Sequence, residues 1–479
     1  MSKFIPTSII CLFLFVFGKP VAAQDYMVEA TYLGSKTKAE LFAIFFQPVE
    51  FDVDLYKITY KTVDVNLQPD TASGLLVLPQ VADTTRLPIL VYNHGTTAGP
   101  DDVPSRLEGG YEVAMAFAAF GFATVAPDYI GLGDSEGFHP YLHAASEASA
   151  SLDMLFAGYE YLEFNDPDLD PNYLFLTGYS QGGHASMALH KEIEDFWSII
   201  IPVTAATHIS GPYSLSGVMR DRVLSDLPYG YPSYIAYIFL GFNEAYHLYD
   251  SIGDVFKEPY AQSIDSFYNE EIDLTVLNNR LLAYLTAAGN TSPKTMLQDS
   301  IVDALANDLN HPINEALANN DTYNFAPTAP TRLYYCGGDT QVPPLNSVIA
   351  DSVMNELGAN DVQAINLNAN FDHGTCLLTA VPNTIEFFKS FLLASSIDDL
   401  GLDAAELKVF PNPVLDFVII DWDAARSGCA YEIYNSSGEI MLKGISASNK
   451  IDMKGLVPGM YMIICTTADE TRLARLIKQ

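Results

Sequence analysis

Between the apolar run Tyr173–Thr177 and a helical stretch that starts near Gln181, the chain has only Gly178-Tyr179-Ser180-Gln181-Gly182-Gly183 in which to turn. Passing from a buried strand into a helix over so few residues demands a sharp bend, and glycine at 178 and 182 removes the side chains that would collide in it. A strand that feeds straight into a helix is a unit of layered α/β structure, and the neighbouring sequence keeps to that grammar. Tyr56–Val65 alternates apolar and polar residues and Gly74–Leu78 follows a turn. Leu87–Tyr92 and Phe122–Ala126 are continuous apolar runs, of the kind buried on both faces of a parallel sheet. Helical periodicity falls at Tyr111–Phe120 and Ala144–Phe164, and residues 24–50 show some helical character around Lys38–Phe46.

After Val203–Ile209 the alternation stops. Roughly residues 213–327 hold helical segments and loops rich in aromatics, among them Tyr229, Tyr234, Tyr237, Phe239 and Phe242. Strands resume at Arg332–Cys336 and Val362–Leu367, and a last helix runs near Thr384–Leu393. An insertion between two sheet strands is placed to cap the sheet, with most of its aromatics serving a core and a minority lining a pocket. Residues 395–406 turn small and acidic, as a linker does. Residues 407–479 then read as a small all-β sandwich, with short strands at Val418–Trp422, Tyr431–Tyr434, Ile440–Lys443, Tyr461–Cys465 and Arg472–Ile477 and a turn at Asn435-Ser436-Ser437-Gly438.

Residues 1–23 carry Lys3, an apolar run from Ile9 to Phe17 and a small-residue end Val21-Ala22-Ala23, the pattern of a cleavable export signal. Cys11 lies inside the apolar run, not at its end, so it does not read as a lipid-bearing residue. No later stretch is apolar for the length of a membrane-spanning helix, which predicts a mature protein without an integral membrane segment. Residues 24–394 are left as one α/β domain, and a chain that is 49% hydrophobic overall suffices for a large core there. A formal charge of −35 and a pI near 4.3 argue against nucleic acid and anionic membranes as partners.

The chemistry centres on Ser180. A serine in a sharp strand-to-helix turn presents its hydroxyl as a nucleophile, and the free N–H of Gln181 at the helix start can hold a developing oxyanion. The loop Asn93-His94-Gly95-Thr96-Thr97 after an earlier strand supplies Thr96 N–H as the second donor. In the chain order serine, acid, histidine, the acid is Asp339 in Gly337-Gly338-Asp339 and the base is His373 in Asp372-His373-Gly374, each just past a strand. His94 is read as a brace for the oxyanion loop and Asp372 as a loop residue. Cys336 and Cys376 flank the acid and the base, which predicts a disulfide between them; pairing of Cys429 with Cys465 stays open.

These residues resemble the α/β-hydrolase superfamily over about Phe51–Leu393. Pro127-Asp128-Tyr129-Ile130-Gly131-Leu132-Gly133 with His139-Pro140-Tyr141 resembles its secretory lipase and bacterial esterase branch. That resemblance implies a serine esterase or lipase of the α/β-hydrolase fold, acting on small-molecule or lipid esters with no metal or organic cofactor. Phe410-Pro411-Asn412-Pro413, Leu456-Val457-Pro458-Gly459-Met460-Tyr461 and the basic close at Arg472, Arg475 and Lys478 resemble the C-terminal sorting domain of type IX secretion. This implies the type IX machinery as partner, passage across the outer membrane to the cell surface or medium, and removal of the tail. A carbohydrate-binding module is the other reading of the tail, with Trp422 as its aromatic. For the whole chain the rivals are a peptidase of the same fold and a catalytically silent surface-binding protein.

Other polar residues read as structural. Asp166, Asp168 and Asp170 alternate as a weak calcium loop without the glycine and glutamate such a loop needs. His139, His143 and His184 lack a metal-ligand spacing, and Glu147 and Asp153 read as solvent-facing.

Overall fold

The computed structural model describes residues 26–81, 87–165, 173–395, 405–411, 414–422, 429–435, 440–446, 449–457, 459–467 and 471–478. The export signal, the Asp166-to-Asp170 loop, most of the linker and the turn at 436–438 lie outside them.

One nine-stranded sheet organises the larger part, in the order β1-β2-β3-β5-β4-β6-β7-β8-β9. Its antiparallel side is β1 (Met27–Lys36), β2 (Val53–Val63) and β3 (Pro69–Pro79), with β3 also antiparallel to β5 (Ala123–Pro127). From β5 onward the strands β4 (Ile89–Asn93), β6 (Leu174–Tyr179), β7 (Ala205–Ile209), β8 (Thr331–Cys336) and β9 (Val362–Asn368) run parallel. Every residue of β4, β5 and β7 is buried, which is why those strands read as unbroken apolar runs.

Helices α1 (Lys38–Phe45), α2 (Tyr111–Ala119), α3 (Ala144–Asn165) and α4 (Gln181–Glu192) accompany the strands. A core of Ile89, Val91, Val125, Met154, Leu155, Leu176 and Leu189 forms where α3 and α4 cover one part of the sheet. A second gathers Leu90, Tyr92, Phe117, Phe122, Phe175 and Phe388. Between β7 and β8 lie α5 (Arg220–Leu224), α6 (Pro232–Tyr246), α7 (Ile252–Val255), α8 (Tyr260–Tyr268), α9 (Leu274–Ala287), α10 (Asp299–Asn307) and α11 (Pro312–Asn319). They share a core of their own in which Tyr229, Tyr237, Phe239 and Phe242 are buried. After β8 follow α12 (Leu345–Glu356) and α13 (His373–Ser395).

Several elements, α12 among them, were not read from the sequence, and two depart from it in instructive ways. Residues 27–36 form an edge strand that the reading of 24–50 missed, because none of its residues is buried on either face, which leaves no alternation to detect. The last helix begins at His373, not near Thr384. Pro382 sits inside it and reads as a breaker, yet Ala380, Ile385 and Phe388 are buried on either side and hold the helix through the lost hydrogen bond.

In the tail, β10 (Ala405–Glu406) pairs in parallel with β17 (Thr471–Lys478), so pairing starts within the stretch read as linker. The five-stranded sheet is completed by β13 (Cys429–Asn435), β14 (Ile440–Ser446) and β16 (Gly459–Thr466). A three-stranded sheet joins β11 (Lys408–Phe410), β12 (Phe417–Asp421) and β15 (Lys450–Asp452). Val418, Ile420, Trp422, Ile433, Ile451 and Ile463 share one buried cluster, as in a sandwich. Trp422 is buried, with Arg472 over its ring, so it offers no exposed platform to a sugar. Cys429 and Cys465 are buried free thiols.

Candidate active site

The carboxyl ends of β4, β6, β8 and β9 each deliver a loop to one edge of the sheet. Asn93 is in register with Gly178, and Cys336 with Asn368, which brings four distant segments together. Ser180 adopts φ 60° and ψ −121° as the residue preceding α4, a strained conformation for a side chain of its kind. The glycines around it are dictated by backbone proximity. A Cβ at Gly178 would lie 2.0 Å from Gly182 O, and one at Gly182 would lie 1.9 Å from Asn93 O.

Ser180, Asp339 and His373 are brought together and buried, each at most 6% exposed. Asp339 Oδ2 accepts from His373 Nδ1 at 2.6 Å, while its Oδ1 accepts the backbone N–H groups of Gln341 and Val342, both at 2.9 Å. With Nδ1 carrying the proton, Nε2 presents its lone pair to the Ser180 hydroxyl at 2.8 Å. Tyr179 packs against the imidazole at 4.8 Å between ring centres, and its hydroxyl donates to His373 O. This arrangement can take a proton from Ser180 and return it.

The loop bearing Thr96 reaches the same place. A Cβ at Gly95 would stand 3.2 Å from Tyr179 O and 3.6 Å from Ser180 Cβ, so glycine lets the loop approach Ser180. The Thr96 hydroxyl is hydrogen-bonded to Tyr141 OH at 2.7 Å, and Tyr141 stacks on Tyr237 of α6 at 4.4 Å. Gln181 opens α4, where the first backbone N–H groups have no partner within the helix. His94 lies between the carbonyls of Gly95 and Asp128, 2.8 and 3.2 Å away, and against the Tyr129 ring. Both its nitrogens are thus engaged away from Ser180. Asp128, buried and pushed up by that burial, is held by the Ser73 hydroxyl at 2.6 Å and Ser105 N–H at 3.0 Å. Asp372 is exposed and accepts the Thr375 N–H, which makes it a cap for α13.

Cys336 and Cys376 form a disulfide with Cα atoms 5.8 Å apart, joining the end of β8 to the first turn of α13. Its removal by Cys336→Ser/Cys376→Ser substitution should cost about 4 kcal/mol in the loop-closure view. Both the thermal midpoint and the reactivity of Ser180 toward a fluorophosphonate are expected to fall; unchanged reactivity would show that Asp339 and His373 keep their positions without the bond.

Glu147 and Asp153 do not face solvent as the sequence suggested. Glu147 is 1% exposed and pairs with His184, because α3 turns that face toward α4. Asp153 is largely buried in the same helix, and burial pushes its pKa up to about 6. A carboxyl raised in the folded state favours folding below its unfolded pKa near 4, and that contribution is lost as pH rises through about 6. Asp153→Asn should therefore raise the thermal midpoint at pH 7 by removing a penalty of about 3 kcal/mol, and the gain should vanish near pH 4. Melting curves at the two pH values check this. His139, His143 and His184 are all buried, and the described residues hold no group of three or more side chains able to bind a metal ion.

Residues 408–479 match the family model of the secretion system C-terminal sorting domain. The tail therefore carries a type IX sorting domain and indicates export to the cell surface or extracellular space. A comparison with curated proteins finds no match. Among solved structures, a protein of Legionella pneumophila provisionally described as a hydrolase is 26% identical, with TM-score 0.70 over 76% of this chain and 98% of its own. The rice cell wall degrading esterase LipA of Xanthomonas oryzae is 25% identical, with TM-score 0.64 over 79% and 99%. The larger sheet and its helices have the α/β-hydrolase fold. Candida antarctica lipase A shares that α/β-hydrolase fold at 14% identity and TM-score 0.58, over 78% of this chain and 83% of its own. No described helix is long and apolar enough to cross a membrane.

Proposed function

We propose that this chain is an exported serine hydrolase that cleaves carboxylic esters through an acyl-enzyme intermediate. The observation that carries the reading is the unbroken hydrogen-bond chain from Asp339 through His373 to the Ser180 hydroxyl. The likeness to an esterase from Xanthomonas oryzae supports an ester as substrate. The domain division follows the same reading, except that the linker ends before β10: a signal at 1–23, a catalytic domain at 24–395 with its cap at about 213–327, a linker at 396–404 and the sorting domain at 405–479.

Ser180 Oγ attacks the ester carbonyl carbon while its proton passes to His373 Nε2. The carbonyl oxygen takes up the negative charge and is held by the backbone N–H groups of Gln181 and Thr96. As the tetrahedral intermediate collapses, the bond to the alcohol oxygen breaks and His373 protonates it. Water then repeats the attack on the acyl-serine and releases the acid. Asp339 keeps Nδ1 protonated and stabilises the imidazolium at each stage.

Hydrolysis of p-nitrophenyl esters from acetate to palmitate tests the reading and sets esterase against lipase by chain-length preference. A fluorophosphonate probe should label the Ser180 peptide. A preference for aminoacyl amides would move the assignment to a peptidase, and absence of labelling would leave a silent binding protein.

A further inference from the structure

We propose that Glu147 and His139 are positioning residues of the oxyanion hole, gripping the Gln181 side chain so that its backbone N–H stays aimed at the substrate carbonyl. This rests on the reading of Gln181 as an oxyanion donor. Gln181 follows the strained Ser180 directly, so the peptide plane bearing its N–H lies where the backbone changes from strand to helix. A fixed side chain on that residue resists rotation of the plane.

The grip is fully satisfied. Gln181 Nε2 lies 3.0 Å from Glu147 Oε1 and 2.7 Å from His139 Nε2. His139 Nδ1 is 2.7 Å from Ile130 O, so it carries the proton and leaves Nε2 as an acceptor. Burial pushes His139 down to about 3, which keeps the ring neutral in that role. One amide hydrogen of Gln181 therefore goes to each partner.

Glu147 is fixed in turn. Its Oε2 accepts from His184 Nδ1 at 2.6 Å, and His184 Nε2 is 2.9 Å from Asn320 O, which follows α11 at the end of the insertion. An imidazole facing two acceptors donates to both only when protonated. Burial alone would lower the His184 pKa, but the Glu147 charge and the hydrogen bonds to Glu147 and Asn320 raise it above the ordinary value. His184 and Glu147 are thus a directly hydrogen-bonded pair with fully enclosed side chains. Such a pair is weak evidence for stability, since well-packed apolar residues often serve as well or better. What it supplies here is fixed geometry between α3, α4 and the insertion, with Gln181 at its centre.

The test measures kcat and KM for p-nitrophenyl butyrate, and inhibition by phenylboronic acid, whose tetrahedral serine adduct presents an oxygen to the hole. Gln181→Met keeps the side-chain length and removes both hydrogen bonds; His139→Phe keeps an aromatic ring and removes the acceptor for one Gln181 amide hydrogen, and decides the matter should the first variant fail to fold. Each is expected to lower kcat between about tenfold and a hundredfold with KM within about twofold, and to weaken the boronic acid in parallel. A kcat within about twofold of the parent in folded variants overturns the clamp. So does a loss of kcat matched by a loss of the fraction of Ser180 that a fluorophosphonate labels, the mark of a merely structural role. A parent without Ser180-dependent turnover overturns the esterase reading, and the clamp with it.

Discussion

Asp339→Asn should lower kcat about ten-thousand-fold while leaving the fold intact, and Ser180→Ala should lower it by about a million-fold. The asymmetry follows from the hydrogen bonds. An asparagine can offer its N–H to His373 Nδ1, which pushes the imidazole proton onto Nε2, where it faces Ser180 Oγ and cannot accept. Its carbonyl oxygen can still receive the Gln341 and Val342 N–H groups that Asp339 Oδ1 receives now, so the loop survives. Ser180→Ala removes the nucleophile itself and leaves only what substrate binding and the oxyanion donors achieve. Steady-state kinetics on a p-nitrophenyl ester distinguishes the cases. Equal activity in the asparagine variant would mean that Asp339 does not orient the base.

Gly182→Ala should disable the chain by a different route. Its Cβ would stand 1.9 Å from Asn93 O, 2.5 Å from Asn93 C and 2.6 Å from His94 O, all backbone atoms. No rotamer change relieves such a contact, so either α4 withdraws from β4 or the loop carrying Thr96 moves. Overpacking of this severity is expected to cost about 3 kcal/mol or more. A sharply lower thermal midpoint should accompany loss of turnover. Gly374 is the control, because a Cβ there meets nothing within 4 Å and alanine suits a helix better. Gly374→Ala should leave the midpoint unchanged or slightly raised, and a large fall in that variant would remove the contrast on which the clash account depends.

Much of this was legible from sequence because burial imposes a pattern. Strands β4, β5 and β7 are wholly buried and read as apolar runs, and the elbow is written in its glycines because backbone packs on backbone there. The order serine, acid, histidine located three side chains now joined by hydrogen bonds. Strand β1 escaped notice because an edge strand with no buried face carries no period. The start of α13 was hidden by Pro382, whose local signal opposes a helix that tertiary packing holds. Glu147 was misread for a deeper reason. A lone glutamate in sequence signals solvent, and only the fold brings His184 across 37 positions to neutralise it. Its position at the start of a long helix gave no hint of which face would be covered.

The bond between Cys336 and Cys376 also bears on where the candidate site acquires its covalent hold. Disulfides persist in oxidising surroundings and are kept reduced in the cytoplasm. The chain carries a sorting domain for export, and its bond spans the two loops that hold Asp339 and His373. In reducing surroundings those loops are tied by packing and by the Asp339–His373 hydrogen bond; in oxidising surroundings they are linked covalently as well. On the proposed hydrolase reading, the covalent hold on Asp339 and His373 is thus added with the change of compartment, away from the place of synthesis.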